Sequence, residues 1–108
     1  MFRTRAAVLL ATASLRAHRV ADAREAIAKA RSVWSTSGER WWSPEIDRLE
    51  GELLALGDGA ERLRARTLLE AALANARRDG LVLFAERAVA SLARVHAESP
   101  PEPEAAHG

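Results

Sequence analysis

A chain of 108 residues can close one modest core and not two. Sixteen basic residues face fifteen acidic ones with the signs interspersed, a formal charge of +1, which argues against the clustered basic face that a nucleic-acid partner requires. The absence of cysteine excludes disulfides, thiolate metal sites and a cysteine nucleophile, and no apolar run approaches the ~18–20 residues of a membrane helix, so a cytoplasmic protein without membrane or nucleic-acid partners is expected.

Alanine, leucine and arginine dominate, Lys29 is the only lysine, and a chain so poor in β-branched residues favours helix. The first helix is read from about Phe2 to Ala17. Its start carries Arg3, Arg5, Arg16 and Arg19, no acid, and an apolar stretch from Ala6 to Ala13 ending in Ala11-Thr12-Ala13, the outline of a short signal peptide. A cleaved signal therefore stays an alternative. An amphipathic helix is favoured, because Arg16 follows at once and the apolar spacing recurs later in the chain.

The second helix is expected to follow a capping box at Asp22-Ala23-Arg24-Glu25 and to stop at Gly38. The third opens at Ser43-Pro44, an N-cap followed by a proline suited to the first helical position, and ends at Gly57. A second capping box, Asp58-Gly59-Ala60-Glu61, opens the fourth, which closes at Asp79-Gly80. The fifth covers about Leu81 to Ala97. Residues 1–98 thus form the helical domain. Ser99-Pro100-Pro101-Glu102-Pro103 cannot continue a helix, and 99–108 is expected to be a disordered tail.

A shift of 39 residues superimposes the odd-numbered helices. Ala7, Leu10, Ser14 and Ala17 fall on Ile46, Leu49, Leu53 and Leu56, and these on Ala85, Ala88, Leu92 and Val95. The second and fourth helices align through Ala23-Ile27-Ala30 and Ala65-Leu69-Ala72. Small residues are expected where helices approach closely, with Leu10, Leu49, Leu53, Leu69 and Leu92 filling the space between. An all-α solenoid fragment of about five antiparallel helices follows.

The small–x3–large–x2–small pattern of each second helix resembles the tetratricopeptide repeat, although Glu50 stands where a glycine is expected and Gly51 comes one place later. Between residues 38 and 95 lies a sharper resemblance, carried by Gly-Glu-Arg-Trp-Trp at 38–42, Arg48-Leu49-Glu50-Gly51-Glu52-Leu53-Leu54, Ala76-Arg77-Arg78-Asp79-Gly80 and Ala90-Ser91-Leu92-Ala93-Arg94. It is to the C-terminal repeats of bacterial signalling ATPases, found in LuxR-type transcriptional activators and ATPase-linked class III adenylate cyclases. The resemblance implies a sensor or docking arm, detached from or related to such a parent, with a protein or peptide partner.

The residues offer no catalytic constellation, and neither an enzyme activity nor a cofactor is expected. There is no phosphate-binding Gly-x4-Gly-Lys motif, and His18, His96 and His107 pair with no ligand at helical spacing. Glu45, Asp47, Glu50 and Glu52, with Arg48 among them, read as a solvated helix face. Trp34 and Trp42 read as core and Trp41 as the surface aromatic, since neighbouring helical residues are rotated by ~100°. In tetratricopeptide stacks the first helix of each pair lines the concave groove. That resemblance assigns to it Val8 and Thr12, then Asp47, Arg48 and Gly51, then Glu86, Arg87 and Ala90. Arg48 and Arg87 would form a ladder suited to an acidic partner. The alternative is a structural or oligomerising element. The fifth helix presents Leu81, Phe84, Ala85, Ala88, Val89 and Leu92 to the fourth, while Val82 and Leu83 lie on a side that nothing covers, which points to weak self-association.

Overall fold

The computed structural model describes residues 3–37 and 40–98, and every regular element within them is helical. These elements are α1 (Arg3–Arg16), α2 (Val20–Ser37), a short 3-10 turn (Arg40–Trp42), α3 (Ser43–Leu54), α4 (Gly59–Arg78) and α5 (Val82–Glu98). The start at Phe2, the stop at Gly38, the assignment of 99–108 as a tail, and His107 lie outside the described residues.

The helix ends follow from local chemistry. Gly80 adopts φ 71°, and the N–H groups of Leu81 and Gly80 donate back to the carbonyls of Ala76 (2.8 Å) and Arg77 (3.2 Å). This is the doubly bonded left-handed stop expected at a glycine. The same device closes α1 without one. His18 stands at φ 57°, Arg19 N–H donates to Ser14 O at 2.8 Å and His18 N–H to Leu15 O at 3.1 Å.

This stop explains a departure from the sequence reading at Asp22. The carbonyl of Arg19 already accepts from Ala23 N–H at 2.9 Å, so α2 begins at Val20 and Asp22 lies inside its first turn. There Asp22 pairs with Arg19 at 2.5 Å instead of capping. Ser43 does not cap α3 either. The 3-10 turn runs directly into the helix, leaving Trp42 at the cap position with helical dihedrals and no side-chain cap, and Pro44 in the first turn. The Asp58 box forms in full, with Glu61 N–H donating to Asp58 Oδ1 at 2.9 Å and Asp58 N–H to Glu61 Oε1 at 3.2 Å.

Consecutive helices pack against each other, and α3 also touches both α1 and α5. The odd-numbered helices therefore share one side. A core of Val8, Ala11, Leu15, Ile27, Leu49 and their neighbours joins α1, α2 and α3, with Trp34 and Trp42 packed on it. Ala65, Leu69, Ala72 and Ala76 of α4, with Ala88 and Val95 of α5, are buried at the other end of the stack. Ala7 and Ser14 of the expected stripe are buried, but Leu10 is exposed, because the buried face of α1 is centred on Thr4, Val8, Ala11 and Leu15 and leaves Leu10 beyond its edge. Val89, expected against α4, is also exposed. Among the described residues no helix is long and apolar enough to cross a membrane.

The α3–α4 contact is close enough to need a missing side chain. A Cβ on Gly51 would stand 2.7 Å from Leu69 Cγ, and Leu69 is wholly buried. An alanine in a helix normally stabilises by about 0.5–1 kcal/mol over glycine. Here overpacking reverses the sign, and Gly51→Ala is expected to destabilise by ~1–3 kcal/mol. His18→Gly is expected to stabilise by about 1 kcal/mol through relief of its left-handed backbone. Urea denaturation of the two variants beside the parent chain checks both signs.

Candidate functional site

The shared side of α1, α3 and α5 is a groove of about 960 Å³. Helical spacing decides which residues reach it. Glu45, Arg48 and Glu52 are three and four residues apart on α3, and Arg87, Ser91 and Arg94 are four and three apart on α5, so each set forms one stripe. The two stripes interlock. Arg87 Nη1 donates to Glu45 Oε2 at 3.2 Å, Arg48 Nη1 to Ser91 Oγ at 3.1 Å, and Arg94 Nη2 to Glu52 Oε2. Partner numbers rise together along both helices, so α3 and α5 run parallel.

Arg48 is the hub. Its Nε and Nη2 grip both oxygens of Glu45 at 2.9 and 2.7 Å, and its Nη1 also reaches Glu52 at 2.9 Å. Ser91 Oγ donates to Glu52 at 2.5 Å. Glu45 is 1% exposed and Arg48 8%. Burial pulls the Arg48 guanidinium towards its neutral form, but the hydrogen bonds and charge of Glu45 and then Glu52 outweigh it and hold its pKa above the ordinary arginine value. The reading of these carboxylates as a solvated face is therefore corrected at Glu45, whose charge is buried because a fork of guanidinium donors replaces its water.

Above this floor the groove is apolar at one end. The rings of Trp42 and Phe84 lie 5.7 Å apart with their planes tilted by 33°, and the Arg87 guanidinium carbon sits 6.0 Å from the Phe84 centroid. Val8 and Thr12 line the groove from α1 and Ala90 from α5. Arg5 and Arg16 enter from α1, so five arginines face two glutamates around the cleft.

Three residues assigned to the groove point elsewhere, each for a reason of rotation. Asp47 is ~100° from Arg48 and turns to α2, where Arg31 Nη2 bonds it at 2.8 Å. Arg31 also donates to Glu50 at 2.8 Å through Nε. Burial lowers its pKa and these two carboxylates more than restore it, to above the ordinary value. Gly51 is spent on the contact with Leu69. Glu86 is exposed beside Val82 and Val89, on a shallower cleft of about 340 Å³ between α4 and α5.

Val82 and Leu83 are 68% and 56% exposed, and Leu83 reaches the mouth of the groove. Trp41 is 51% exposed and Trp42 half-buried, as their different rotation requires. Among the described residues no three histidine, aspartate or glutamate side chains converge as metal ligands would. The sequence reading missed Glu45, Glu52, Ser91 and Arg94 as groove residues, although the repeated i, i+3/i+4, i+7 polar stripe was there to be read.

No protein-family model, curated protein or solved structure matches the chain.

Removing one partner of a buried ion pair strands the other's charge, whereas removing both does not. Arg48→Met is expected to destabilise by ~3–5 kcal/mol, and the double variant Glu45→Met/Arg48→Met to recover most of that loss. A double-mutant cycle by chemical denaturation reads the coupling.

Proposed function

We propose that the chain is a protein-docking module of tetratricopeptide-like helix pairs, whose groove on α1, α3 and α5 binds an acidic segment of a partner protein. The observation that carries this reading is the groove's unequal charge, five arginines against two glutamates. Arg48 is consumed by the network, while Arg87 gives it one bond, to Glu45, and Arg94 gives it two from a single nitrogen, to Glu52 and Ser91, and both stay about half exposed. Guanidinium donors therefore remain for carboxylates. The Trp42–Phe84 pair beside them offers a seat for an apolar anchor, the usual companion of charged contacts in peptide recognition. The helix order, with odd helices side by side and each joined to the next by a short turn, agrees with stacked helix pairs. On the resemblance of residues 38–95, the partner belongs to a bacterial signalling protein of the ATPase-linked regulator or cyclase kind, of which this chain is a docking arm.

The test is fluorescence anisotropy with a labelled peptide carrying several glutamates around one leucine. Arg5→Glu/Arg16→Glu leaves the α3–α5 network intact and is expected to weaken binding at least ~10-fold, or about 1.4 kcal/mol. Binding should also weaken between about 50 and 300 mM salt. A peptide with glutamine for glutamate that binds as well would overturn the reading.

The exposure of Val82 and Leu83 supports a second reading, self-association through the first turn of α5. Sedimentation at high micromolar concentration separates the two. Association that Val82→Glu/Leu83→Glu abolishes, with helicity kept, supports assembly, and a strict monomer removes it.

A further inference from the structure

The groove carries two rows of arginine, and their spacing obeys one rule. Arg87 and Arg94 are seven residues apart on α5, and Arg5 and Arg16 eleven apart on α1. Two turns of helix take about 7.2 residues and three take about 10.8, so each pair lies along one face of its helix, separated by ~10 Å and ~16 Å. Because α3 touches both α1 and α5 and supplies the floor, the two rows stand on opposite walls.

What the groove lacks is acceptors. Both oxygens of Glu45 already accept from Arg48 or Arg87, and at 1% exposure the residue is out of a ligand's reach. Glu52 Oε2 accepts from Arg48, Ser91 and Arg94. Glu52 Oε1 can still accept, as can Thr12 Oγ1, which donates to Val8 O at 2.9 Å, and the His18 ring when neutral. Thr12 and His18 lie within about one turn of Arg16, and Glu52 against Arg94. On α3 and α5, the half of the groove around Arg87 and the Trp42–Phe84 pair therefore offers donors and apolar surface and no acceptor that a ligand can reach. An extended segment brings a backbone N–H about every 3.3 Å, and those turned into this half would go unpaired. A helix pairs its N–H groups internally and presents only side chains. Its rows also recur at seven and eleven residues, so carboxylates on two flanks of one helix meet both arginine rows.

We propose that the groove seats an acidic amphipathic helix of the partner protein, laid along α3. Carboxylates seven residues apart on one flank face Arg87 and Arg94, carboxylates eleven apart on the other face Arg5 and Arg16, and an apolar ridge between them rests on Trp42 and Phe84. This rests on the reading of the groove as a docking site for an acidic segment and names that segment's conformation and spacing.

Three fluorescent peptides offered to the unaltered chain test this. The first is helix-forming, with glutamates in those two rows around a leucine ridge. The second has the same residues with its glutamates moved about five apart, which scatters them around the helix. The third is the first with one central alanine replaced by proline, which breaks the helix. The first is expected to bind at least about tenfold more tightly than either of the others. Its Cα chemical shifts, read on isotope-labelled peptide, should turn helical in the complex. Arg5→Glu/Arg16→Glu should weaken its binding at least about fivefold, which places it in the groove. Equal binding of the proline peptide or of the rearranged one overturns the proposal, as do extended shifts in the complex. Each of these leaves the groove reading intact so long as binding still needs the glutamates and the two arginines. Binding that ignores the arginine change, or no acidic peptide binding at all, overturns both.

Discussion

A guanidinium that leaves water must be met by acceptors on nearly every N–H it carries, and Arg48 imposes that demand on two helices at once. Its own helix supplies Glu45 and Glu52 at the only spacings that reach it, and α5 supplies Ser91. The carboxylates in turn have capacity left over, which Arg87 and Arg94 take. Each link is geometrically cheap, yet together they fix the register of α5 against α3. An apolar seam would tolerate a slip of one turn with modest loss; this one would leave a buried charge unpaired. The ionic floor of the groove thus sets the register of α5 on α3.

The opposite side of α3 obeys a different constraint. Gly51 and the alanines of α4 let two backbones come close, and Leu69 fills the gap that Gly51 leaves. With α3 only 12 residues long, between α2 of 18 and α4 of 20, both faces of the helix are committed: one to close apolar contact, the other to the ionic network. Even its third side is spoken for, since Asp47 and Glu50 hold Arg31 of α2. The rest of the stack is assembled around this short central helix.

How much of this could be read from residues alone varies with the range of the interaction. The box at Asp58 and the stop at Gly80 were legible because they are local: the residues that make each bond lie within five positions of one another. The box at Asp22 was equally local in form but lost to a competitor, the left-handed turn at His18, which a histidine does not advertise. In α1 an alanine-rich sequence offers apolar residues on both edges of its buried face, and whether Leu10 or Val8 turns inward could be told only by knowing where α2 lies. The repeat placed Arg48 and Arg87 on neighbouring helices. It gave no hint that Glu45 lies between them, because burial of a charge depends on partners more than 40 positions away. Asp47 and Glu86 sat next to correct groove positions and missed by one step of rotation.

The alanine seams carry a consequence for how such a molecule can change over generations. Ala11, Ala23, Ala30, Ala65, Ala72 and Ala76 have no exposed surface, so almost any replacement there adds volume where none is free. Arg5, Arg16, Leu9 and Leu83, at the lip of the groove, are exposed and can be exchanged at little cost to folding. Heritable variation is thereby channelled away from the scaffold and onto the lip of the groove, and a lineage carrying this chain can reshape that lip while its architecture stays fixed.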